Sequence, residues 1–123
     1  MQPRSGTGSR PKKVSRMIKA SDMKRVQTAL GFAKKAGKVR SGEFSAEKSI
    51  KNGSALVTVV DASASSQTKK HWADACANAG IPLVEAEDVG LSIGSEAHMV
   101  ACIVDNGFAQ MLLRACNDKE FES

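Results

Sequence analysis

Residues 41–60, SGEFSAEKSIKNGSALVTVV, decide the fold of this chain. Gly42 can begin a short helix, and the Asn52–Gly53 pair is a turn signal that ends it. The segment ALVTVV (55–60) follows, and its β-branched residues form a run too short and too uniformly apolar for a surface helix. The stretch therefore predicts a helix that leads directly into a buried strand.

Upstream, SDMKRVQTALGFAKKAGK (21–38) predicts a helix with a clear beginning and end. Ser21 or Asp22 can cap it, lysines crowd its last turn, and Gly37 stops it. Its apolar residues recur at helical spacing: Met23, Val26, Leu30 and Ala33. A short extended piece then leads to the helix that begins at Gly42.

Downstream, helices and strands continue to alternate. A helix is predicted over residues 66–79, with Ser63, Ser65 or Ser66 as its cap and Gly80 at its end. Its inward face is predicted to consist of Thr68, Trp72, Ala75, Cys76 and Ala79.

The remaining segments complete the pattern. They are a strand in IPLVEA (81–86), a turn and a helix of about two turns in EDVGLSIGSEA (87–97), a strand in HMVACIVD (98–105) and a helix in GFAQMLLRAC (107–116). This alternation predicts an α/β protein in which helices cover both faces of a sheet, a three-layer α/β/α sandwich.

The length of 123 residues is enough for one domain and too short for two. Residues 1–20 are polar and basic and are predicted to be a disordered arm, followed by one domain over 21–117 and a tail over 118–123. No apolar run is long enough to cross a bilayer, and the basic N-terminus lacks the apolar core of a secretory signal. A transit peptide remains an alternative on composition, but the expected location is cytoplasmic.

Charge is distributed unevenly along the chain. Residues 1–40 carry twelve of the 18 Lys and Arg residues and one of the 13 acidic residues. This asymmetry indicates a basic surface with an anionic partner, a nucleic acid before a membrane. The alternative is a solvated basic tail that aids solubility.

Residues that could support catalysis are scattered. His71, beside Trp72 on a predicted helix, and His98, at the start of a predicted strand, are expected to be surface or strand-end histidines rather than ligands or bases. The acidic cluster Glu85, Glu87 and Asp88 offers too few converging oxygens for a metal. The three cysteines lie far apart and are predicted to be reduced and buried. No glycine-rich phosphate loop is present. The chain is therefore predicted to be no enzyme and to need no cofactor or metal.

The helix that begins at Gly42 is the predicted binding site. At 100° per residue, its buried side is Ala46, Ser49, Ile50 and Gly53, and its outer side is Phe44, Glu47, Lys48 and Lys51. Free backbone N–H groups at Gly42, Glu43 and Phe44 could bind a phosphate, and Phe44 could stack on a splayed base. The alternative is that Phe44 folds back against the strand as a hydrophobic staple.

Longer segments bear a family resemblance. LGFAKKAGKVRSGEFSAEKSIKNGSALVTVVDASAS and GIPLVEAEDVGLSIGSEAHMVACIVDNGFAQML resemble the kink-turn RNA-binding ribosomal protein superfamily of the L-seven-Ae and L-thirty-e type, and within it the bacterial YlxQ-like branch. The resemblance runs from about Met23 to Leu112. It implies an α/β/α sandwich with a four-stranded mixed sheet and binding of structured RNA.

Members of the family bind a kink-turn through a helix that starts with Gly-x-Asn-Glu-x-x-Lys and through an apolar loop. Gly42 and Lys48 match that pattern, whereas Phe44 and Ser45 replace the Asn and Glu that contact the bases. The recognition loop corresponds to residues 86–89 and its turn to Gly90. The predicted RNA-binding residues are Lys34, Lys35, Lys38, Arg40, Gly42, Glu43, Phe44, Ser45, Lys48, Lys51, Asp88, Val89 and Gly90.

The sequence therefore predicts a non-catalytic RNA-binding protein, associated with ribosomal or other structured RNA. The replacements at Phe44 and Ser45 argue against base-specific recognition of a kink-turn. The alternative is a protein–protein interaction module of the same fold. In that case the acidic region 85–96 would meet a basic protein partner, and Phe44 would be an exposed hot spot.

Overall fold

The computed structural model describes residues 17–19, 22–95 and 97–122, with side chains for 22–95 and 97–116. In chain order its elements are β1 (Met17–Lys19), α1 (Met23–Lys35), β2 (Val39–Ser41), α2 (Glu43–Lys51), β3 (Val57–Asp61), α3 (Ser66–Ala79), β4 (Leu83–Ala86), α4 (Val89–Ser92), β5 (Val100–Ile103) and α5 (Asn106–Glu122).

The strands form one mixed sheet in the order β1-β4-β3-β5-β2. β3 pairs in parallel with β4 and antiparallel with β5, and β2 pairs antiparallel with β5. The predicted α/β fold and its four-strand mixed sheet are confirmed. A fifth strand, β1, adds to the β4 edge in parallel. It lies within the predicted arm, 1–20, and the remaining residues of that arm lie outside the described part of the chain.

Helices cover both faces of the sheet. On one face α1, α4 and α5 pack on Val57, Val59 and Ile103. On the other face α2 and α3 pack around Trp72, which is 2% exposed. Aliphatic side chains form most of both cores, with Trp72 added on the α2 and α3 face, and the helices enclose the sheet as the alternating pattern predicts.

Local capping sets the helix boundaries. The Asp22 carboxylate accepts a hydrogen bond from the Arg25 N–H at 3.2 Å, and the Ser65 hydroxyl accepts from the Thr68 N–H at 3.1 Å. Gly80 adopts the left-handed conformation at the end of α3. These are the roles that the sequence assigns to acidic, hydroxyl and glycine residues at helix ends.

Four details differ from the sequence-based expectations. α4 has one turn because Gly94, with φ of 73°, ends it early. α5 runs on to Glu122, since the residues after Cys116 are compatible with a helix although the apolar pattern stops. Gly53 is exposed because α2 ends before it, and Ala79 is exposed because it is the last residue of α3.

The functional residues meet at one end of the sheet, which we call the carboxyl end. β3 and β4 finish there, with Asp61 beside Ala86. The antiparallel neighbours bring the last residue of β2, Ser41, and the first of β5, Val100, to the same end. Loops and helix starts that follow these strands are therefore close in space.

None of the described helices is both long enough and apolar enough to span a membrane.

Candidate nucleic-acid interface

α2 begins at Gly42 in a conformation that suits glycine. Its φ of 88° and ψ of 159° lie in a region almost restricted to glycine. The Gly42 N–H donates to the Val100 carbonyl at 2.9 Å, and the Gly42 carbonyl accepts from the Ala46 N–H at 2.9 Å. The first bond fixes the entry to the helix on β5, and the second starts the helical ladder.

The N-terminal turn of α2 has open donors. No side chain caps it, and the N–H groups of Glu43, Phe44 and Ser45 precede the first intrahelical bond, which Ala46 donates. Glu43 and Phe44 are exposed, and Ser45 is half-buried. The positive end of the helix dipole therefore faces outward from the carboxyl end of the sheet.

Phe44 projects into solvent. Its side chain is 81% exposed, the highest fraction among the large apolar side chains recorded as exposed in the described part. The staple alternative is therefore wrong, because a staple would bury the ring against the strand. The predicted buried side of α2 is correct for Ala46, Ser49 and Ile50.

His98 also lies at the start of α2, and the sequence did not predict it as part of the site. Its Nδ1 lies 2.9 Å from the Ser41 hydroxyl oxygen, at hydrogen-bond distance. A Cβ placed on Gly42 would come within 3.2 Å of its Nε2. No spacing in the sequence connects residue 98 with residue 42, so only the pairing of β2 with β5 could have shown this contact.

The predicted recognition loop lies at the same end of the sheet and is held by Asp61. The Asp61 carboxylate accepts from the Val89 N–H at 3.0 Å, and from the N–H and hydroxyl of Ser63 at 2.9 and 2.8 Å. Partial burial alone would raise the pKa of Asp61, but these hydrogen bonds and the charge of Lys69 together lower it. An aspartate before Ala-Ser is a turn signature and could have been read from the sequence.

The loop presents backbone and acidic groups rather than apolar side chains. Asp88 is exposed and left-handed, with φ of 56°, and Glu87 is exposed. Val89 is fully buried, so its side chain is not available to a surface partner, and the backbone of Gly90 is also buried. The Gln27 amide donates to the Glu87 carbonyl at 2.8 Å and ties the loop to α1.

The predicted upstream cations do not gather at this site. The Met23 sulfur accepts from the Glu87 N–H, so α1 begins at the carboxyl end and finishes at the other. The Lys38 backbone carbonyl accepts a hydrogen bond from the Val104 N–H just after β5, and Lys38 lies about 13 Å along the strand from Gly42. The structure therefore places Lys34, Lys35 and Lys38 at the opposite end of the sheet.

Arg40 also turns away from the helix start. Its guanidinium donates to the carbonyls of Gly37 and Val39, each at 3.1 Å. These bonds fold the side chain back toward the turn between α1 and β2.

On α2 itself, the two lysines differ in their pairing. Lys51 forms an ion pair with Glu47 at 3.3 Å, whereas Lys48 is exposed and takes part in no ion pair recorded for the described residues. Lys48 follows Phe44 by four residues, so the two side chains are neighbours on the surface of α2.

The acidic region 85–96 is only partly available as a surface. Glu85 pairs with Lys69 at 2.8 Å in a largely buried contact. Glu87 and Asp88 remain exposed, and Glu96 lies outside the described residues.

A cleft of about 530 Å³ opens beside the helix start. α2 and α3 form its walls, the segment before β5 forms its floor, and Phe44, Trp72 and His98 are among its lining residues. Glu43 is its only carboxylate among the described residues. The site therefore combines open N–H donors, an exposed ring and a histidine.

The chain is similar in sequence and fold to several known proteins. The Bacillus subtilis (strain 168) RNA-binding protein YlxQ is 39% identical over 87 residues, which cover 68% of this chain and 87% of that protein. A solved protein of unknown function from Bacillus halodurans C is 28% identical with a TM-score of 0.68, covering 74% of this chain and 95% of that chain.

The Giardia lamblia 15.5kD RNA binding protein shares the fold, with 16% identity and a TM-score of 0.62 over 86% of this chain and 96% of that chain. The resemblance to the YlxQ-like branch is confirmed. The model of the ribosomal protein L7Ae/L30e/S12e/Gadd45 family matches residues 24–113, and the chain belongs to that family.

Proposed function

We propose that this protein is a non-catalytic, cytoplasmic RNA-binding protein that binds structured RNA at the carboxyl end of its sheet. The observation that carries the proposal is the uncapped start of α2, which combines open N–H groups with an exposed Phe44. Lys48 lies one turn further on and takes part in no ion pair recorded for the residues that the structure describes. The printed name of the Bacillus subtilis relative describes an RNA-binding protein, which supports the same function.

The chemistry of the helix start suits a phosphate. Several N–H groups point outward, and the helix dipole adds about half a positive charge there. Lys48 contributes a full charge from one side. Because these contacts recognise the backbone of the RNA, they position it without reading its sequence.

The same surface disfavours the kink-turn contacts of the family. Phe44 and Ser45 stand where the resemblance places the Asn and Glu that contact the bases. Glu87 and Asp88 are exposed at the neighbouring loop, and like charge repels phosphates there. We therefore expect the RNA backbone to approach α2 and to avoid the loop.

Crosslinking the protein to RNA in cells and sequencing the attached RNA tests the proposal. We expect enrichment of structured RNA, with ribosomal RNA first. Recovery of no RNA above background would contradict RNA binding. Sedimentation with ribosomal particles at low salt, lost at high salt, would place the RNA in the ribosome.

Binding measured in solution tests specificity. We expect a kink-turn RNA and a hairpin whose sheared pairs are replaced by Watson–Crick pairs to bind with affinities within about threefold, because phosphate contacts carry no sequence information. A preference above a hundredfold for the kink-turn would contradict backbone recognition. Binding of a basic protein at Glu87 and Asp88, with no RNA bound, would instead support the interaction-module alternative.

A further inference from the structure

We propose that the outer face of α2, formed by Phe44, Lys48, Lys51 and Asn52, binds an unpaired nucleotide of the RNA. This inference rests on the proposed function and adds a substrate class, namely RNA with a splayed or single-stranded nucleotide. The four residues, together with Glu47, line a shallow recess of about 410 Å³.

The recess follows the geometry of the helix. Phe44, Lys48 and Asn52 are spaced four residues apart and therefore lie in one row on its surface. The row spans about 12 Å along the axis. A ring at one end, a cation in the middle and an amide at the other end can each meet a different part of one nucleotide.

Phe44 supplies a stacking surface. Its ring is 81% exposed on a helix whose other apolar side chains, Ala46 and Ile50, are buried. Nucleobases stack on such rings with little dependence on base identity. The Phe44 ring is not part of the hydrophobic core and is therefore available to stack on a base.

Charge on this face favours a nucleotide over an apolar peptide. Glu47 pairs with Lys51 at 3.3 Å in an exposed contact, whereas Lys48 takes part in no ion pair recorded among the described residues. An ammonium group one helical turn from an aromatic ring suits a phosphate attached to a stacked base.

Asn52 adds a donor. Its Oδ1 accepts from the Ser54 N–H at 2.9 Å and from the Ser54 hydroxyl at 2.7 Å. No hydrogen bond from its Nδ2 is recorded within the described part of the chain, so the Nδ2 N–H groups can donate to acceptors on a base edge. Because the amide nitrogen offers only N–H donors, the contact accepts any base that presents an acceptor there.

The nucleotide must be unpaired. In double-stranded RNA the bases are stacked within the helix, and the major groove is too deep and narrow for side chains. A ring that protrudes from a helix surface reaches a base face only when that base is splayed from its neighbours.

The test measures the affinity of the full chain for three RNA probes: a hairpin with a three-nucleotide bulge, the same hairpin with an abasic bulge, and a fully paired duplex. Phe44→Ala should weaken binding of the bulged hairpin about five- to hundredfold. Phe44→Trp should bind it at least as well as the parent. Neither substitution should change binding of the abasic hairpin or the duplex.

Phe32→Ala is the matched control. Phe32 is 52% exposed and lies on α1, across the sheet from α2, so its removal should change affinity by less than twofold. Circular dichroism of each variant checks that the fold is retained.

The outcomes separate the two proposals. If the parent chain binds none of the three probes, RNA binding itself fails. If the parent binds and Phe44→Ala binds the bulged hairpin equally well, only the nucleotide site is overturned. Equal weakening of the duplex and the bulged hairpin would also overturn it.

Discussion

The imidazole of His98 occupies the space into which any side chain at Gly42 would project. An added Cβ would lie 3.2 Å from Nε2 and 3.3 Å from Cε1 of that ring. The other ring nitrogen, Nδ1, lies 2.9 Å from the hydroxyl oxygen of Ser41, the residue just before Gly42. This hydrogen bond fixes the imidazole beside the glycine. The start of α2 and the segment before β5 are therefore built as one unit.

Gly42→Ala should destabilise the protein by about 2–4 kcal/mol, because backbone strain adds to the contact with His98. Gly53→Ala is the control: Gly53 has φ of 84° but no atom within 4 Å of its added Cβ, so it should cost about 1 kcal/mol. Urea denaturation measures both. Removing the ring in a His98→Ala background should reduce the cost of Gly42→Ala, and an unchanged cost would contradict the steric explanation.

Asp61→Asn should lower stability at neutral pH and less so in acid. The pKa of Asp61 is lower in the folded protein than its ordinary value of 3.8. The charged carboxylate therefore stabilises the folded state at pH values above 3.8, and this stabilisation is lost as the pH falls through the lower native pKa. Denaturation of parent and variant from pH 7 to pH 2.5 should show their difference shrink below pH 3.8.

Asp74→Asn is the matched control for that series. Asp74 is exposed and pairs with Lys70 on the surface of α3, so its replacement should change stability by less than about 0.5 kcal/mol. A difference between parent and Asp61→Asn that stays constant with pH would contradict the role given to the carboxylate.

All three cysteine thiols should resist alkylation in the folded protein. Burial raises the pKa of Cys102 and Cys116 to about 11 and also raises that of Cys76. At pH 8 the two thiols at about 11 should react roughly a hundredfold more slowly than a free cysteine. Iodoacetamide labelling with and without urea measures this, and fast labelling of any folded thiol would show that its site is open.

Much of the fold follows from local patterns. ALVTVV predicts the buried strand β3, Ser65 and Gly80 bound α3, and the buried side of α2 is correct at Ala46 and Ile50. These features depend on residues close in sequence, and propensity and capping describe such residues well.

The set of residues that form the candidate site was harder to predict. Lys38 and Arg40 are neighbours of Gly42 in sequence, yet the extended β2 carries Lys38 to the opposite end of the sheet, and backbone carbonyls hold Arg40. His98 joins the site across 56 residues because β2 pairs with β5. Strand pairing determines the positions of Lys38 and His98, and the hydrophobic periodicity of a single segment gives no information about strand pairing.

The most direct test of RNA binding at the carboxyl end compares Lys48→Ala with Lys38→Ala. The affinity of each for a bulged hairpin RNA is measured between 50 and 200 mM salt. Lys48→Ala should weaken binding about fivefold and reduce the slope of log affinity against log salt by about one, while Lys38→Ala should match the parent. Equal losses in both variants, or a loss only in Lys38→Ala, would contradict the account.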